Sequence, residues 1–396
     1  MKFIRLLMAA MLAAYSFSWG AAAGETLPDY NTSPIEADRS GMEKNAMQIA
    51  ADMGLGWNLG NTLEASGGET GWGNPMVTKE FISLVSDSGF NTIRLPVAWD
   101  QYADTQTGKI DDAWLDRVTE VVDYAIAEDM YVVINIHWDG GWLENNVTRE
   151  ARDDVAPRQR AYWQQIATHF RDHDERLVFA GANEPNVDNQ SQMAVLADYH
   201  QIFVDAVRET GGRNAYRTLI LQGPRTDIEK TRDLWPGMPE DTVADRMMAE
   251  VHFYTPWNFA GMEKDENWGK MFFFWGEDYH YSKMRDRNAN WGEEDMVDDL
   301  FAMMQHQFTD KGVPVLLGEY GAISRRNLKG EALERHLASR AWYLEYVTRS
   351  ALEHGLVPVY WDNGHTGNFG FGLFDRNRNE IADEQALEAL LRGASQ

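Results

Sequence analysis

The chain has 396 residues, with 36 basic and 62 acidic side chains and no cysteine. A net charge of −26 sets it against nucleic acid, anionic membranes and polyanionic polymers such as pectate. The missing cysteines exclude disulfides, thiol catalysis and thiolate metal sites.

The first stretch reads as a secretory signal peptide. Lys2 and Arg5 give a positive start, Leu6 to Phe17 is almost entirely apolar, and Ala21-Ala22-Ala23 offers small residues for cleavage. The apolar run is shorter than the roughly 20 residues a membrane span needs, and no later segment reaches that length. The expectation is a secreted protein, extracellular or periplasmic, with residues 1–23 removed. Its 373 remaining residues would carry a charge of −28, since Lys2 and Arg5 leave with the leader. Such a length suits one barrel of about 250 residues with insertions, or two ordinary domains of about 100–200 each.

Residues 24–45 are polar and aperiodic, an N-terminal lead before a single catalytic domain over 46–396. From there, short apolar runs alternate with stretches of helical period. The runs are Leu55–Leu59, Phe90–Val97, Met130–Ile136, Leu177–Ala182, Thr218–Leu221, Met247–Tyr254, Val313–Leu317 and Val357–Trp361. Between them, Asp112–Asp129 puts Leu115, Val118, Val122 and Ala125 on one helical face. Glu331–His354 does the same with Leu333, Leu337, Trp342, Leu344 and Val347. Gly89, Gly312 and Gly355 fall where helices need a left-handed cap. Uninterrupted apolar strands separated by helices predict a parallel sheet buried on both faces. Eight such units predict a closed (β/α)8 TIM barrel. An open doubly wound sheet is the alternative, but no G-x-G-x-x-G follows the first strand.

Barrels of this kind carry their chemistry at the C-terminal ends of strands. Those ends hold Asn58, Arg94, His137-Trp138-Asp139, Asn183-Glu184-Pro185, His252-Phe253-Tyr254, Gly318-Glu319-Tyr320-Gly321 and Trp361-Asp362. Glu184 and Glu319 each close a buried strand, where an unpaired charge is expensive, and they face each other across one barrel mouth. Two carboxyls flanking a bond are what glycoside cleavage requires. A metal site competes for the same His and Glu residues, but no H-E-x-x-H spacing appears. Asp375-Arg376-Asn377-Arg378-Asn379 begins like a calcium loop, then has Glu380 where Gly is needed, and so reads as a turn. A Ser-His-Asp triad has no G-x-S-x-G elbow to rest on. No metal or cofactor is expected.

From about Gly54 to about Arg376 the chain resembles the family 5 glycoside hydrolases, which include many bacterial endo-β-1,4-glucanases. The resemblance rests on ordered motifs: Gly56-Trp57-Asn58-Leu59-Gly60-Asn61, Trp72-Gly73-Asn74-Pro75, Gly89 through Pro96, Asn183-Glu184-Pro185, His252-x-Tyr254 and Gly318-Glu319-Tyr320-Gly321. It implies a retaining double displacement with Glu184 as acid/base and Glu319 as nucleophile. It further implies that Asn183 bonds the sugar 2-OH, that Arg94 and Tyr254 hold Glu319 ionised, and that His137 and His252 line the same subsite. Trp361 would lie under the ring being cleaved, with Asn58 and Trp138 also at the substrate. Many relatives carry two adjacent histidines where this chain has His137-Trp138, which leaves the preference among cellulose, mixed-linkage glucan, xyloglucan and mannan open. The expected partner is a β-glucan met by a monomer, with neither nucleic acid nor membrane involved. A non-catalytic carbohydrate-binding barrel is the remaining alternative, and it predicts loss of one carboxylate. Trp72, Trp138, Trp142, Trp257 and Trp275 are candidate sugar platforms, two or three of which should face the cleft.

Overall fold

The eight apolar runs become eight parallel strands: β1 (Gly56–Leu59), β2 (Thr92–Leu95), β3 (Tyr131–Asn135), β4 (Leu177–Ala180), β5 (Leu219–Gln222), β6 (Met247–Phe253), β7 (Val315–Tyr320) and β8 (Leu356–Asp362). Each hydrogen-bonds its neighbours in sequence order, and β8 closes onto β1 with Trp361 opposite Asn58 and Asp362 opposite Leu59. The sheet is a closed barrel, and the open doubly wound alternative falls. This computed structural model describes residues 27–395; the signal peptide expected over 1–23 lies outside them.

A barrel helix follows each strand: α1 (Lys79–Asp87), α2 (Asp112–Ala127), α3 (Arg152–His169), α4 (Gln190–Arg208), α5 (Ile228–Leu234), α6 (Glu294–Gln307), α7 (Glu331–Glu353) and α8 (Glu384–Ala394), with one extra helical turn, Trp257–Ala260, in the loop after β6. Local chemistry starts several of them. Thr78, Asp111, Asn189, Asp227 and Asp383 each accept a first-turn backbone N–H through their side chains, a cap worth about 1 kcal/mol. Their apolar stripes and the outer faces of the strands form one continuous shell of packed side chains. Gly89, Gly312 and Gly355 take φ of 101°, 84° and 75°, as helix ends require.

The barrel interior has two halves. At the N-terminal end of the strands it is dry: Tyr131, Val133, Val178, Ile220, Met248, Leu316, Val357 and Val359 pack together. The helix Ala46–Met53 plugs this end with Ala46, Ile49 and Met53. Asn45 and Gln48 start that plug with a reciprocal capping box. Toward the other end the lining turns polar.

Two details depart from expectation. The N-terminal lead is structured over its described part. Ile35–Ala37 pairs in parallel with Gly211–Gly212, and the Tyr30 backbone N–H donates to Gln164 Oε1 at 2.9 Å. In α7, Leu333, Leu337 and Trp342 are only partly buried, while His336, Ser339, Arg340 and Tyr343 are buried. The early turns of α7 cover a loop rather than the barrel. His336 Nδ1 meets the Phe273 carbonyl at 2.8 Å, and Ser339 bonds both the N–H and the carbonyl of Trp275. The Asp375 segment is a tight antiparallel hairpin, Phe374–Asp375 with Glu380–Ile381, whose turn N–H groups point at Asp375 Oδ1.

Candidate active site

At the C-terminal end of the barrel the inward positions of the strands become Asn58, Arg94, Asn135, Gln222 and Glu250, and all five are fully buried. Arg94 is the hub. Its Nη1 donates to Asn58 Oδ1 at 2.9 Å and to Glu319 Oε1 at 3.0 Å, and its Nη2 donates to Asn183 Oδ1 at 2.8 Å. Its Nε lies 3.2 Å from Glu250 Oε1. A planar fork suits this multiple contact where a lysine would not. Asn58 is itself fixed by donating to the Gly318 carbonyl at 2.8 Å.

Glu319 lies one residue before the end of β7 and accepts from Arg94 and from the Tyr254 hydroxyl, the latter at 2.9 Å. Gly318 before it has to be glycine, because a Cβ there would stand 2.0 Å from Glu250 Oε1. Glu184 lies beyond the end of β4. Its Oε1 is 2.7 Å from His252 Nδ1, and the other ring nitrogen of His252 is 3.2 Å from Glu250 Oε1. One carboxylate oxygen each of Glu184 and Glu319 and a His252 nitrogen lie within 4.8 Å of one another.

The charges follow from this crowding. Burial opposes charge on His252, but Glu319, Glu184 and Glu250 outweigh it and push the ring up to about 10. The ring is therefore held toward its cationic form beside the two glutamates. Burial raises Glu184, but the His252 hydrogen bond and the charges of His252 and Arg94 hold it below the ordinary carboxylate range. Burial pushes Glu319 up; His252, Arg94 and the Tyr254 hydroxyl offset only part of that. Arg94 and Tyr254 thus contact Glu319 as expected from sequence, but they do not overcome its burial. His137 is driven well down by burial and by the neighbouring Arg94 and His252 charges, so it is neutral.

The other expected residues gather at the same mouth. His137 and Trp361 lie parallel, with ring centroids 6.0 Å apart and planes 9° off. Trp361 rests against the end of β1 because Gly60 has no side chain: a Cβ there would sit 2.8 Å from the indole. Trp138 stands exposed on the loop after β3. Of the five candidate platforms, Trp72, Trp138 and Trp257 are exposed, while Trp142 and Trp275 are buried. Trp142 packs edge-on to Tyr162, and Trp275 donates to the Gly292 carbonyl. Three neighbours in the strand-end motifs are structural instead. Asp139 accepts the Trp99 and Asp100 N–H groups. Tyr320 bonds Thr348. Asp362 pairs with Arg376 and accepts from the Trp57 indole, sealing the β8–β1 seam.

Three further residues complete the site. Glu250 sits two residues before His252 on the same strand, and a charge at that spacing inside an apolar run marks the same inward face. Glu144, in the loop after β3, accepts the Glu184 backbone N–H at 2.8 Å, and burial pushes its carboxyl up to about 7. Thr226 holds φ of 50°, a region β-branched residues seldom enter. Its hydroxyl stands 3.5 Å from Glu184 Oε1. Nothing in the local sequence signals the last two.

The profile of the family described as "Cellulase (glycosyl hydrolase family 5)" matches residues 58–367. The xyloglucan-specific endo-β-1,4-glucanase of Bacteroides ovatus is 40% identical over 379 residues, covering 91% of this chain and 72% of its own. Endoglucanase A of Paenibacillus barcinonensis is 37% identical over 375 residues, covering 88% and 90%. A solved Bacteroides ovatus family 5 xyloglucanase in complex with a XXXG heptasaccharide superposes with a TM-score of 0.85 at 36% identity, covering 93% of this chain and 80% of that one. The chain belongs to glycosyl hydrolase family 5.

Proposed function

We propose that this glycoside hydrolase is a retaining endo-β-1,4-glucanase with Glu184 as acid/base and Glu319 as nucleophile. The observation that carries the reading is the close approach of the two carboxylates, within 4.8 Å between oxygens. Retaining pairs stand about 5–5.5 Å apart, whereas inverting pairs need about 6.5–9.5 Å to admit a water between them.

Glu184 must carry the proton it donates, and the 2.7 Å hydrogen bond to His252 holds its Oε1 in position. As Glu319 attacks the anomeric carbon, the glycosidic C–O bond breaks and Glu184 donates that proton to the leaving oxygen. In the second step Glu184 takes a proton from water, water attacks the same carbon, and Glu319 is released as carboxylate. Arg94 and Tyr254 hold the Glu319 oxygens in place throughout. Product NMR tests the stereochemistry: the first-formed anomer should be β, and an α product would overturn the retaining assignment.

Exposed Trp72, Trp138 and Trp257 offer flat apolar faces to a polymer lying across the mouth, which supports internal cleavage. Carboxymethylcellulose viscosity should fall much faster than reducing ends appear. Viscosity falling only in step with reducing ends would indicate exo attack. A xyloglucan preference is the second reading, favoured by the likeness to the Bacteroides ovatus enzyme. Relative rates on xyloglucan, mixed-linkage glucan, carboxymethylcellulose and mannan decide it. Secretion after loss of residues 1–23 is also proposed, on the pattern of that segment, and N-terminal sequencing of exported protein checks it.

A further inference from the structure

The two catalytic carboxylates are held by different means. Glu319 stands within β7, where the sheet ladder fixes its main chain and His252 of β6 is its registered neighbour. Glu184 has no such support, because β4 ends at Ala180 and the next helix begins only at Gln190. Ala182 is still tied to the barrel, its N–H donating to Gln222 Oε1 at 2.8 Å. Two residues further on, the chain has left the sheet.

What holds it there is the loop after β3. The Glu184 N–H donates to Glu144 Oε1 at 2.8 Å, and the Asn186 N–H donates to the Glu144 backbone carbonyl at 2.9 Å. Asn186 Nδ2 also donates to Asn145 Oδ1. Two consecutive loop residues thus grip the main chain at Glu184 and again two residues beyond it. Gly141 makes room for the grip, since a Cβ there would stand 2.1 Å from Asn145 Nδ2.

The grip is anchored in packed structure. Trp142 and Leu143 before it are buried, and after it the Asn146 carbonyl accepts the Tyr199 hydroxyl at 3.0 Å. Asn146 Nδ2 in turn donates to the Trp142 carbonyl at 2.9 Å. Glu144 itself is buried. An uncharged side chain would fill its place at a lower desolvation cost; what the carboxyl adds is an acceptor long enough to reach the neighbouring loop. A general acid works only within hydrogen-bond reach of the leaving oxygen, and a displacement of about 1 Å costs about 10²-fold in rate.

We infer that Glu144 is a positioning residue for the reaction: acting through the main chain, it sets where the Glu184 carboxyl stands, with Asn145 as a second hold. The inference rests on the proposed acid/base role of Glu184.

The test is how kcat/KM depends on the leaving group across aryl β-cellobiosides, since a well-placed acid matters only where the leaving oxygen needs a proton. Glu144→Ala should lower kcat/KM by about 10²-fold on the phenyl glycoside and by less than about three-fold on the dinitrophenyl one. Glu144→Gln keeps an acceptor of the same reach and should recover most of the loss. Asn145 is exposed, so Asn145→Ala opens no void and should show the same pattern at about three- to ten-fold. That variant decides the matter alone if Glu144→Ala does not fold. Equal losses on both substrates, or no loss on either, would overturn the inference. Glu184→Gln, run in parallel, separates the two claims: it should show the leaving-group pattern whatever the Glu144 variants do, and without it the acid/base reading itself fails and the inference with it.

Discussion

The two ends of the barrel interior solve opposite problems with the same strands. At the plugged end, Val133, Ile220, Met248 and Leu316 fill space, and any residue of similar volume and polarity would serve. At the open end, Arg94, Glu250, His252, Glu184 and Glu319 hold three carboxylates and two cations in a few ångströms. Burying such charges is unfavourable unless each is paired, so none of the five can change alone without stranding another. The first end provides stability that is indifferent to chemistry. The second concentrates chemistry in groups that only the surrounding fold keeps tolerable.

Substitutions at the open end should show the largest effects. Glu319→Gln removes the nucleophile and should abolish turnover while leaving oligosaccharide binding measurable. Glu184→Gln should lower kcat on polymer by about 10²–10⁴, and much less on aryl glycosides whose leaving groups need no proton. Substantial polymer activity in both variants would reduce the pair to buried structural carboxylates.

A matched pair of substitutions sharpens the contrast. Arg94→Leu strips the cation from between Glu250 and Glu319, and should cost about 3–5 kcal/mol in unfolding free energy together with the activity. Ile220→Ala leaves a void at the dry end and should cost about 2–5 kcal/mol, with kcat per folded molecule retained. Urea titration and active-site-normalised kinetics measure both. Equal kinetic damage from Ile220→Ala would erase the distinction. Arg94→Lys keeps the charge but loses the fork, and the acidic limb of its pH–rate profile should move upward.

The smallest effects lie in pH dependence. His252 is raised from 6.5 to about 10, so the folded state binds its proton more tightly. That contribution is complete below pH 6.5 and is lost as pH rises through about 10. Glu144 is raised from 4.5 to about 7, and its contribution is complete below pH 4.5 and lost as pH rises through about 7. His252→Gln should flatten the upper window of the stability curve, and Glu144→Gln the lower one. Urea midpoints across pH 4–10 check this; a variant curve parallel to the wild type's would remove that group from the account.

The barrel was legible because eight apolar runs with helical spacers allow few other closures, and strand ends then point to the mouth. Residues at or just beyond strand ends, such as Glu184, Glu319 and His252, are legible that way. Residues acting from loops are not: Glu144 reaches Glu184 through a backbone N–H, a contact that leaves no trace in periodicity. The face of α7 departs from its apolar spacing for a related reason: a helix can pack against something other than the barrel, and the first turns of α7 face the β6 loop through His336 and Ser339. Trp142 and Trp275 look like Trp72 and Trp257 in the sequence, and only packing separates buried indoles from exposed ones.

Arg94 touches Asn58, Asn183, Glu250 and Glu319, which belong to β1, the end of β4, β6 and β7. The hub therefore exists only when strands from both halves of the chain have met. Catalysis becomes a logical conjunction over the whole ring, with no working intermediate for a partly assembled chain. If the polypeptide were cut between β4 and β5, one piece would keep Arg94 and Glu184 and the other His252 and Glu319. Each piece should be silent alone, and any activity recovered on mixing would count rings that had closed.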